Sequence, residues 1–362
     1  MTERTAYERI KASGFEGRYL PPDRLEVFLT SHLPKSAVEV LGYSVEKRPV
    51  FGVHLGNGPI RVLMWSQMHG NESTTTRAVL DLISSLNKKG FQGQEALEFL
   101  FIPMLNPDGA QAYTRQNANQ ADLNRDARLQ NQPESRILRK AYEEFAPHYC
   151  FNLHDQRTIF SAGDKPQPAT LSFLAPAANV QKEYTDSRRA AAQLIAALSR
   201  PLRDLIGIGR YDDTFNPDCV GDFFQAAGTP TLLFEAGHFP GDYERKETRF
   251  YVYQALQNAL KAIQSGDYRD ALVSDYTKLP ENKSKFLDIL ISNAHLLDET
   301  YKVGAGVGLQ YTEVLEKGRI YFRPDIVHKG TLQGYYGHEC WDAARPDHLR
   351  QLKASEDLMR LF

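Results

Sequence analysis

The sequence places a histidine and a carboxylate three residues apart, in the segment His69-Gly-Asn-Glu72. At that spacing, just before a helix, both side chains can point in the same direction. Imidazole and carboxylate are suitable donors for zinc, and a catalytic zinc site combines three protein ligands with a position left open for water. His154, which follows a distant apolar run, is the candidate third ligand. Taken alone, the His-x-x-Glu spacing is more typical of a surface pair or a helix cap than of a metal site.

A second carboxylate, Glu235, directly follows the apolar run 229–234. Burying a carboxylate is costly unless it is paired or functional. Such a group could act as a general base on a metal-activated water and then as an acid toward a leaving nitrogen. A helix cap or an ion pair is the structural alternative. His238, three residues later, is expected to be a rim or packing residue.

The polar stretch 114–126 contains Arg115, Asn124 and Arg125. An arginine guanidinium can bind a carboxylate through two parallel hydrogen bonds. It can also polarise a carbonyl and stabilise an oxyanion. The stretch is therefore a candidate for substrate binding, and a solvated surface loop is the alternative.

Four continuous apolar runs precede these polar groups and predict the strands that position them. Runs without alternation are typical of strands buried on both faces, in a parallel or mixed sheet covered by helices. Each run ends at a segment that contains His, Asp or Glu, and ligands of open α/β sheets bind beyond the carboxyl ends of the strands. The four runs are 60–65, 97–105, 148–153 and 229–234.

Apolar residues at helical spacing predict helices between these strands. One helix follows Ser73 and stops at Gly90, and another opens at Pro133. Residues 184–199 and 244–263 have a similar pattern. Because strands alternate with helices, we expect an α/β fold, with three layers (α/β/α) and a mixed, largely parallel central sheet.

The character of the sequence changes after about residue 266. A polar segment with a proline leads into three strand-like segments and a final helix over 347–361. We therefore expect a catalytic domain over 1–266 and a small β-rich C-terminal domain with a terminal helix over 280–362. The three strand-like segments are 286–298, 303–315 and 318–324.

The composition is that of an ordinary globular protein, with 42% apolar and 24% charged residues. A formal charge of −2 gives no electrostatic reason for a nucleic-acid or membrane partner. The longest apolar runs, about five to eight residues, are too short to span a bilayer. Cys150, Cys219 and Cys340 predict neither a disulfide framework nor a thiolate zinc site. We therefore expect a cytoplasmic protein that binds neither nucleic acid nor membranes. The sequence leaves open whether it forms a homo-oligomer.

Five motifs occur in the order found in the zinc carboxypeptidase family, and the chain resembles that family over roughly residues 40–260. The family includes digestive carboxypeptidases, bacterial peptidoglycan-peptide amidases and related deacylases. The resemblance implies one zinc ion per chain. The motifs are HGNE (69–72), NPDG (106–109), DLNR (122–125), His154 after its apolar strand, and FE (234–235).

The resemblance also implies the roles of the metal-binding and catalytic residues. By similarity, His69, Glu72 and His154 match the zinc ligands, and Glu235 matches the catalytic acid/base. Arg115 matches the arginine that polarises the scissile carbonyl.

The resemblance also implies which residues bind the substrate. Asn124 and Arg125 match the pair that holds a terminal carboxylate, and Tyr211 is the candidate for the family's mobile tyrosine. The chain departs from the family at Asp155, where many members have Ser or Thr. The segment 221–224 lies where members place their specificity-pocket side chains, but no preference follows from it.

The sequence thus predicts a zinc-dependent hydrolase that cleaves an amide bond next to a free carboxylate, in a peptide or an acyl-amino acid. An amidase or deacylase of the same superfamily, acting on acyl-amino acids or cell-wall-derived peptides, is the first alternative. A non-catalytic binding module on the same scaffold is the second. The complete set of ligands with an acid/base favours an enzyme.

Overall fold

Three sheets organise the protein, whose computed structural model describes residues 3–89 and 94–362. The largest has eight strands, and the others have two and four. In chain order, the strands are β1 (Val38–Tyr43), β2 (Pro49–Gly56), β3 (Ile60–Ser66), β4 (Leu97–Ile102), β5 (Tyr149–Asp155), β6 (Phe160–Ala162), β7 (Leu171–Leu174), β8 (Ile208–Arg210), β9 (Thr231–Ala236), β10 (Asn282–Ser284), β11 (Phe286–Ser292), β12 (Gly306–Glu316), β13 (Arg319–Gly330) and β14 (Tyr336–Asp342).

The central sheet has the strand order β1-β2-β4-β3-β5-β9-β7-β8. Its middle strands β4, β3, β5 and β9 are parallel neighbours, as are β7 and β8, whereas the remaining pairs are antiparallel. The predicted mixed, largely parallel sheet is therefore confirmed. The four predicted strands are all present, but the second ends at Ile102 rather than 105. Pro103 follows there and has no N–H to donate to a neighbouring strand.

Helices cover both faces of the central sheet and complete the three-layer α/β/α fold. One face packs against α3, α6 and α8, and the other against α5 and α7. The helices are α1 (Glu3–Ile10), α2 (Pro22–His32), α3 (Thr74–Lys89), α4 (Pro107–Ala112), α5 (Pro133–Phe145), α6 (Asp186–Ser199), α7 (Val220–Ala226), α8 (Lys246–Ser265), α9 (Val273–Thr277), α10 (Pro346–Ala354) and α11 (Glu356–Met359). The predicted stop of α3 at Gly90 lies outside the described residues. Within those residues, no helix is long and apolar enough to cross a membrane.

The C-terminal residues form the β-rich unit that the sequence predicts. Its four strands have the order β13-β12-β11-β14, and β10 pairs with β6. The predicted strand over 286–298 ends at Ser292, because Asn293 adopts a left-handed φ of 56° and a 3-10 turn follows. The predicted terminal helix is two helices, since Ser355 caps a new one. The domain boundary between 266 and 280 stays a prediction. The residues there form a 3-10 turn and α9, and both pack on α6.

Candidate metal centre and cavity

Three parallel neighbours of the central sheet, β3, β5 and β9, end at the same edge. His154 on β5 and Glu235 on β9 are register partners, so their side chains leave the sheet on the same face. His69 lies just beyond β3, where Gln67 adopts a left-handed φ of 49° and turns the chain toward α3. Residues distant in sequence therefore meet at one edge of the sheet.

The side chains of His69, Glu72 and His154 converge, and all three residues are buried. His69 Nδ1 lies 2.8 Å from Glu72 Oε1, and His154 Nδ1 lies 2.9 Å from Glu72 Oε2. The two Nδ1 atoms are 3.2 Å apart. One ligand atom from each residue falls within 4.8 Å of the other two.

This donor set fits a single zinc ion. Two imidazole nitrogens and a carboxylate oxygen suit zinc and leave a fourth position for water or substrate. Although burial opposes ionisation of Glu72, the two imidazoles hold the pKa of its carboxyl below the ordinary value. The carboxylate is therefore in the ionised form that binds a metal.

Asp122 supports His69, the first candidate ligand, a role that we did not predict from the sequence. Its Oδ1 lies 3.1 Å from Nε2 of His69, on the ring edge opposite Nδ1. Its Oδ2 accepts hydrogen bonds from the Arg115 guanidinium at 3.0 and 3.1 Å. A carboxylate behind a metal-binding histidine fixes the ring's tautomer and orientation. The signal was present in the DLNR motif, where Asp122 is the first residue.

Asp155, where the chain departs from the family, caps the helix that follows Glu72. Its carboxylate accepts hydrogen bonds from the backbone N–H groups of Thr74 and Thr75, at 2.8 and 3.1 Å. These are unsatisfied donors at the start of α3, so the cap stabilises the helix. The backbone N–H of Asp155 also donates to Glu72 Oε2 at 3.1 Å, which fixes the metal-facing carboxylate.

The NPDG motif holds the loop of the first ligand in place. A Cβ at Gly70 would lie only 1.9 Å from the backbone carbon of Gly109, so neither backbone leaves room for a side chain between them. Asn106 donates from Nδ2 to the carbonyl oxygen of Met68 at 3.1 Å and accepts from the Gly109 N–H at 2.9 Å. The motif therefore positions His69 without contacting the metal-facing atoms.

Glu235 is buried at the sheet edge beside the candidate metal-binding cluster. It lies inside β9, which rules out the helix-cap alternative. Among the described residues, its carboxylate forms no hydrogen bond or ion pair. Burial, together with the charges of Glu72 and Asp155, raises the pKa of the Glu235 carboxyl well above its ordinary value. A carboxylate in this setting is prepared to accept a proton.

The two arginines of the polar stretch have different partners. Arg115 contacts Asp122 and, at 3.5 Å, Glu72 Oε1. Arg125 is exposed, and its Nη1 donates to the Asn124 carbonyl oxygen at 2.7 Å and to Cys219 Sγ at 3.1 Å. Within residues 3–89 and 94–362 it forms no ion pair, so an incoming carboxylate meets a guanidinium without a charged partner. The side-chain oxygen of Asn124 accepts from the Val220 N–H at 2.9 Å, which ties this segment to α7.

All eight predicted site residues line one cavity of about 770 Å³. Tyr211 contributes from the residue after β8, where its ring packs against Phe160 at 5.8 Å between centroids. Gly221 lies on the same surface as Arg125, at the start of α7. The structure therefore brings together the residues that the sequence selected one at a time.

A second wall of the cavity comes from residues that no motif identified. Glu313 on β12 forms an ion pair at 2.9 Å with the buried guanidinium of Arg18, and it accepts a hydrogen bond from the Tyr113 hydroxyl. Tyr311 and Phe322, from β12 and β13, line the cavity beside them. These contacts join the C-terminal sheet to the site across long stretches of sequence, so no local spacing predicts them.

His238 packs behind this wall. It is 1% exposed, and its ring lies 4.8 Å from that of Tyr243 and 4.1 Å from that of His338, between centroids. Burial lowers its pKa to about 2. It is a neutral packing residue, as expected, and not a ligand of the cluster.

Comparison with known proteins finds similarity to the same family that the motifs resemble. Residues 27–162 match the model of the zinc carboxypeptidases. Carboxypeptidase 2 of Trichophyton rubrum is 29% identical over 107 residues, which are 29% of this chain and 19% of that protein. The chain thus spans about a fifth of the length of the curated relatives it matches.

Solved structures share the fold at low sequence identity. The metallo-carboxypeptidase from Burkholderia cenocepacia superposes with a TM-score of 0.56 at 19% identity, covering 69% of this chain and 70% of the other. Carboxypeptidase A from Helicoverpa armigera gives 0.52 at 14% identity, covering 73% and 80%. The resemblance to the zinc carboxypeptidases and the α/β fold class are thereby confirmed.

Proposed function

We propose that this chain, a zinc-carboxypeptidase-like protein by sequence and fold, hydrolyses an amide bond next to a free carboxylate. The substrate class is a peptide with a free C-terminus or an acyl-amino acid. One observation carries the proposal: the buried, unpartnered carboxylate of Glu235 faces the same cavity as the unpaired guanidinium of Arg125, with the His69–Glu72–His154 cluster beside them. A binding module would have no use for a buried carboxylate without a partner, because burying it is costly.

His69, Glu72 and His154 would hold the zinc ion. When bound, zinc would supply a Lewis acid that polarises the scissile carbonyl and lowers the pKa of a water molecule. Glu235 would accept a proton from the attacking water and then donate it to the leaving nitrogen. Its raised pKa makes the second transfer easier, because the acid form persists closer to neutral pH.

The arginines would orient the substrate. Arg125 would bind the terminal carboxylate through its free guanidinium edge, with Asn124 beside it. Arg115, held by Asp122 next to Glu72, would stabilise the oxygen of the scissile carbonyl as negative charge develops on it. Tyr211 would close over the substrate from the β8 side of the cavity.

An amidase or deacylase of acyl-amino acids remains the alternative, since it uses the same zinc ligands and Glu235. The aromatic side chains of the second wall suit an acyl group as well as a peptide. We also propose a reducing compartment such as the cytoplasm. All three cysteines are free, and Cys150 is buried.

A substrate comparison tests the proposal. The purified chain, loaded with zinc, is incubated with peptides that have either a free or an amidated C-terminus, and products are identified by mass spectrometry. We expect release of the C-terminal residue from the free acid at a rate about a hundredfold or more above the amide, because the amide leaves Arg125 without its charged partner. Removal of zinc by a chelator should abolish the cleavage. Equal cleavage of acid and amide would reject the carboxypeptidase function.

A further inference from the structure

Three aromatic rings meet in the second wall of the cavity. The centroid of Tyr243 lies 5.2 Å from that of Tyr311 and 5.4 Å from that of Phe322, and the latter two are 6.0 Å apart. All three side chains line the cavity and are only partly buried. Tyr243 follows the central sheet in sequence, whereas Tyr311 and Phe322 belong to the C-terminal sheet. We call this group the aromatic wall.

A buried carboxylate fixes the aromatic wall. Asp288 on β11 is 0% exposed and accepts a hydrogen bond from the Tyr243 hydroxyl at 2.8 Å. Its other oxygen accepts from the backbone N–H of Tyr311 at 2.7 Å and from the side chain of Gln310. One carboxylate thus fixes the hydroxyl of Tyr243 and the backbone of Tyr311, so the positions from which these two rings project are set before any ligand binds.

The aromatic wall and Arg125 line the same cavity but have different neighbours. Arg125 ends a 3-10 turn, and its guanidinium contacts Cys219, the residue before α7. The aromatic wall lies beside Glu313, which contacts Arg18 and Tyr113. Consider a substrate whose carboxylate binds Arg125 and whose scissile amide lies at the candidate metal-binding cluster. Its acyl side is then free to contact the aromatic wall.

We propose that Tyr243, Tyr311 and Phe322 form a subsite for an apolar side chain or acyl group on the acyl side of the scissile bond. This inference rests on the proposed function and narrows its substrate class. Aromatic rings that are partly exposed in a cavity gain most when an apolar group covers them. The chain would therefore discriminate by what precedes the scissile bond as well as by the free carboxylate that follows it.

Neighbouring residues on β13 give a matched pair of variants. Phe322 lines the cavity, whereas Tyr321 is 49% exposed and is not among the residues that line it. Successive residues of a strand point to opposite faces, so Tyr321→Ala removes an aromatic ring from the same strand without changing the subsite. Phe322→Ala is the test variant and Tyr321→Ala is its control.

The experiment measures binding to the full-length, zinc-loaded Glu235→Gln variant, which should not turn over its ligand. The ligands are pairs of N-acetyl dipeptides, with Phe or Gly before the scissile bond and the same C-terminal residue. Leucine, lysine and glutamate serve in turn as that residue. Calorimetry should show the Phe ligand binding at least tenfold more tightly than the Gly ligand in at least one pair. Phe322→Ala should reduce that ratio to threefold or less, and Tyr321→Ala should leave it unchanged.

The outcomes separate this inference from the proposed function. Tighter binding of the Phe ligand, without cleavage of either ligand by the parent chain, supports the subsite and rejects the hydrolase. Cleavage of both ligands with equal affinity rejects the subsite and retains the hydrolase. A preference for Phe that persists in Phe322→Ala, or is lost equally in Tyr321→Ala, also overturns the inference, as does failure of every ligand to bind.

Discussion

The strand ends of the central sheet and the C-terminal sheet border the same cavity, but they are encoded differently. His69, His154 and Glu235 each follow a continuous apolar run, so local sequence identifies both the residue and its position. Tyr311 and Phe322 lie in long, partly exposed strands with no chemical motif, and only the folded structure brings them to the cavity.

The difference reflects what each region must do. Metal binding and proton transfer need particular donor atoms at fixed separations, and few residue types supply them. An apolar wall needs only surface of suitable shape, which many sequences provide. We therefore expect substitutions at the strand ends to abolish function and substitutions in the C-terminal sheet to change preference or stability.

Loss of a metal ligand should have the largest effect. His154→Ala leaves two donors, so we expect zinc to fall from about one equivalent to below a tenth, with activity lost alongside. Elemental analysis of protein prepared without chelator measures this directly. Tyr211→Phe is the control at the cavity surface and should retain its zinc. A parent chain that binds less than a tenth of an equivalent, even after zinc is added, would contradict the assignment of the centre.

Replacing Glu235 by Gln should lower kcat by about a hundredfold or more and leave the zinc content unchanged. The amide keeps the shape of the side chain but cannot accept a proton. Thermal stability should be unchanged or higher, because the variant removes a buried carboxylate that has no partner. Glu313→Gln makes the same chemical change in the C-terminal sheet and should cost less than about tenfold in kcat. Similar losses of kcat in the two variants would contradict the distinction between the strand ends and the C-terminal sheet.

Arg125→Ala should lower kcat/KM for a free-acid peptide by about a hundredfold, through the loss of charge-assisted hydrogen bonds worth about 1.5–3 kcal/mol each. The amidated peptide should lose little more, because the contact is already missing there. Steady-state kinetics of the parent and the variant on both peptides give a double-mutant-type cycle, which measures whether the two losses are coupled. Equal losses on acid and amide would show general damage to the loop instead of lost recognition.

Asp288→Asn should have the smallest effect on turnover and a measurable one on stability. The new NH2 group would replace either the oxygen that accepts from Tyr243 or the oxygen that accepts from Tyr311 and Gln310, so at least one hydrogen bond accepted by the carboxylate is lost. Urea denaturation should show a loss of about 1–3 kcal/mol. Activity toward a substrate with Gly before the scissile bond should change by less than threefold. A larger loss there would mean that the C-terminal sheet affects catalysis itself.

The predictable part of the fold is the part that is buried on both faces. β3, β4, β5 and β9 were visible as continuous apolar runs, and the ends of three of them located the site. β1, with exposed residues along its length, and β7 and β8, only four and three residues long, gave no such signal. Among the supporting residues, Asp122 could have been found within DLNR. Arg18 and Glu313 could not, because their ion pair joins opposite ends of the chain.

The late position of Glu313 in the chain has a consequence for synthesis. Chains fold from the N-terminus as they are synthesised. The segments that supply His69, Glu72, His154 and Glu235 all leave the ribosome before residue 313. Until Glu313 is synthesised, the guanidinium of Arg18 lacks its ion-pair partner, and the aromatic wall does not yet exist. A nascent chain would therefore acquire the donors for its metal before it acquires the surface that selects its substrate.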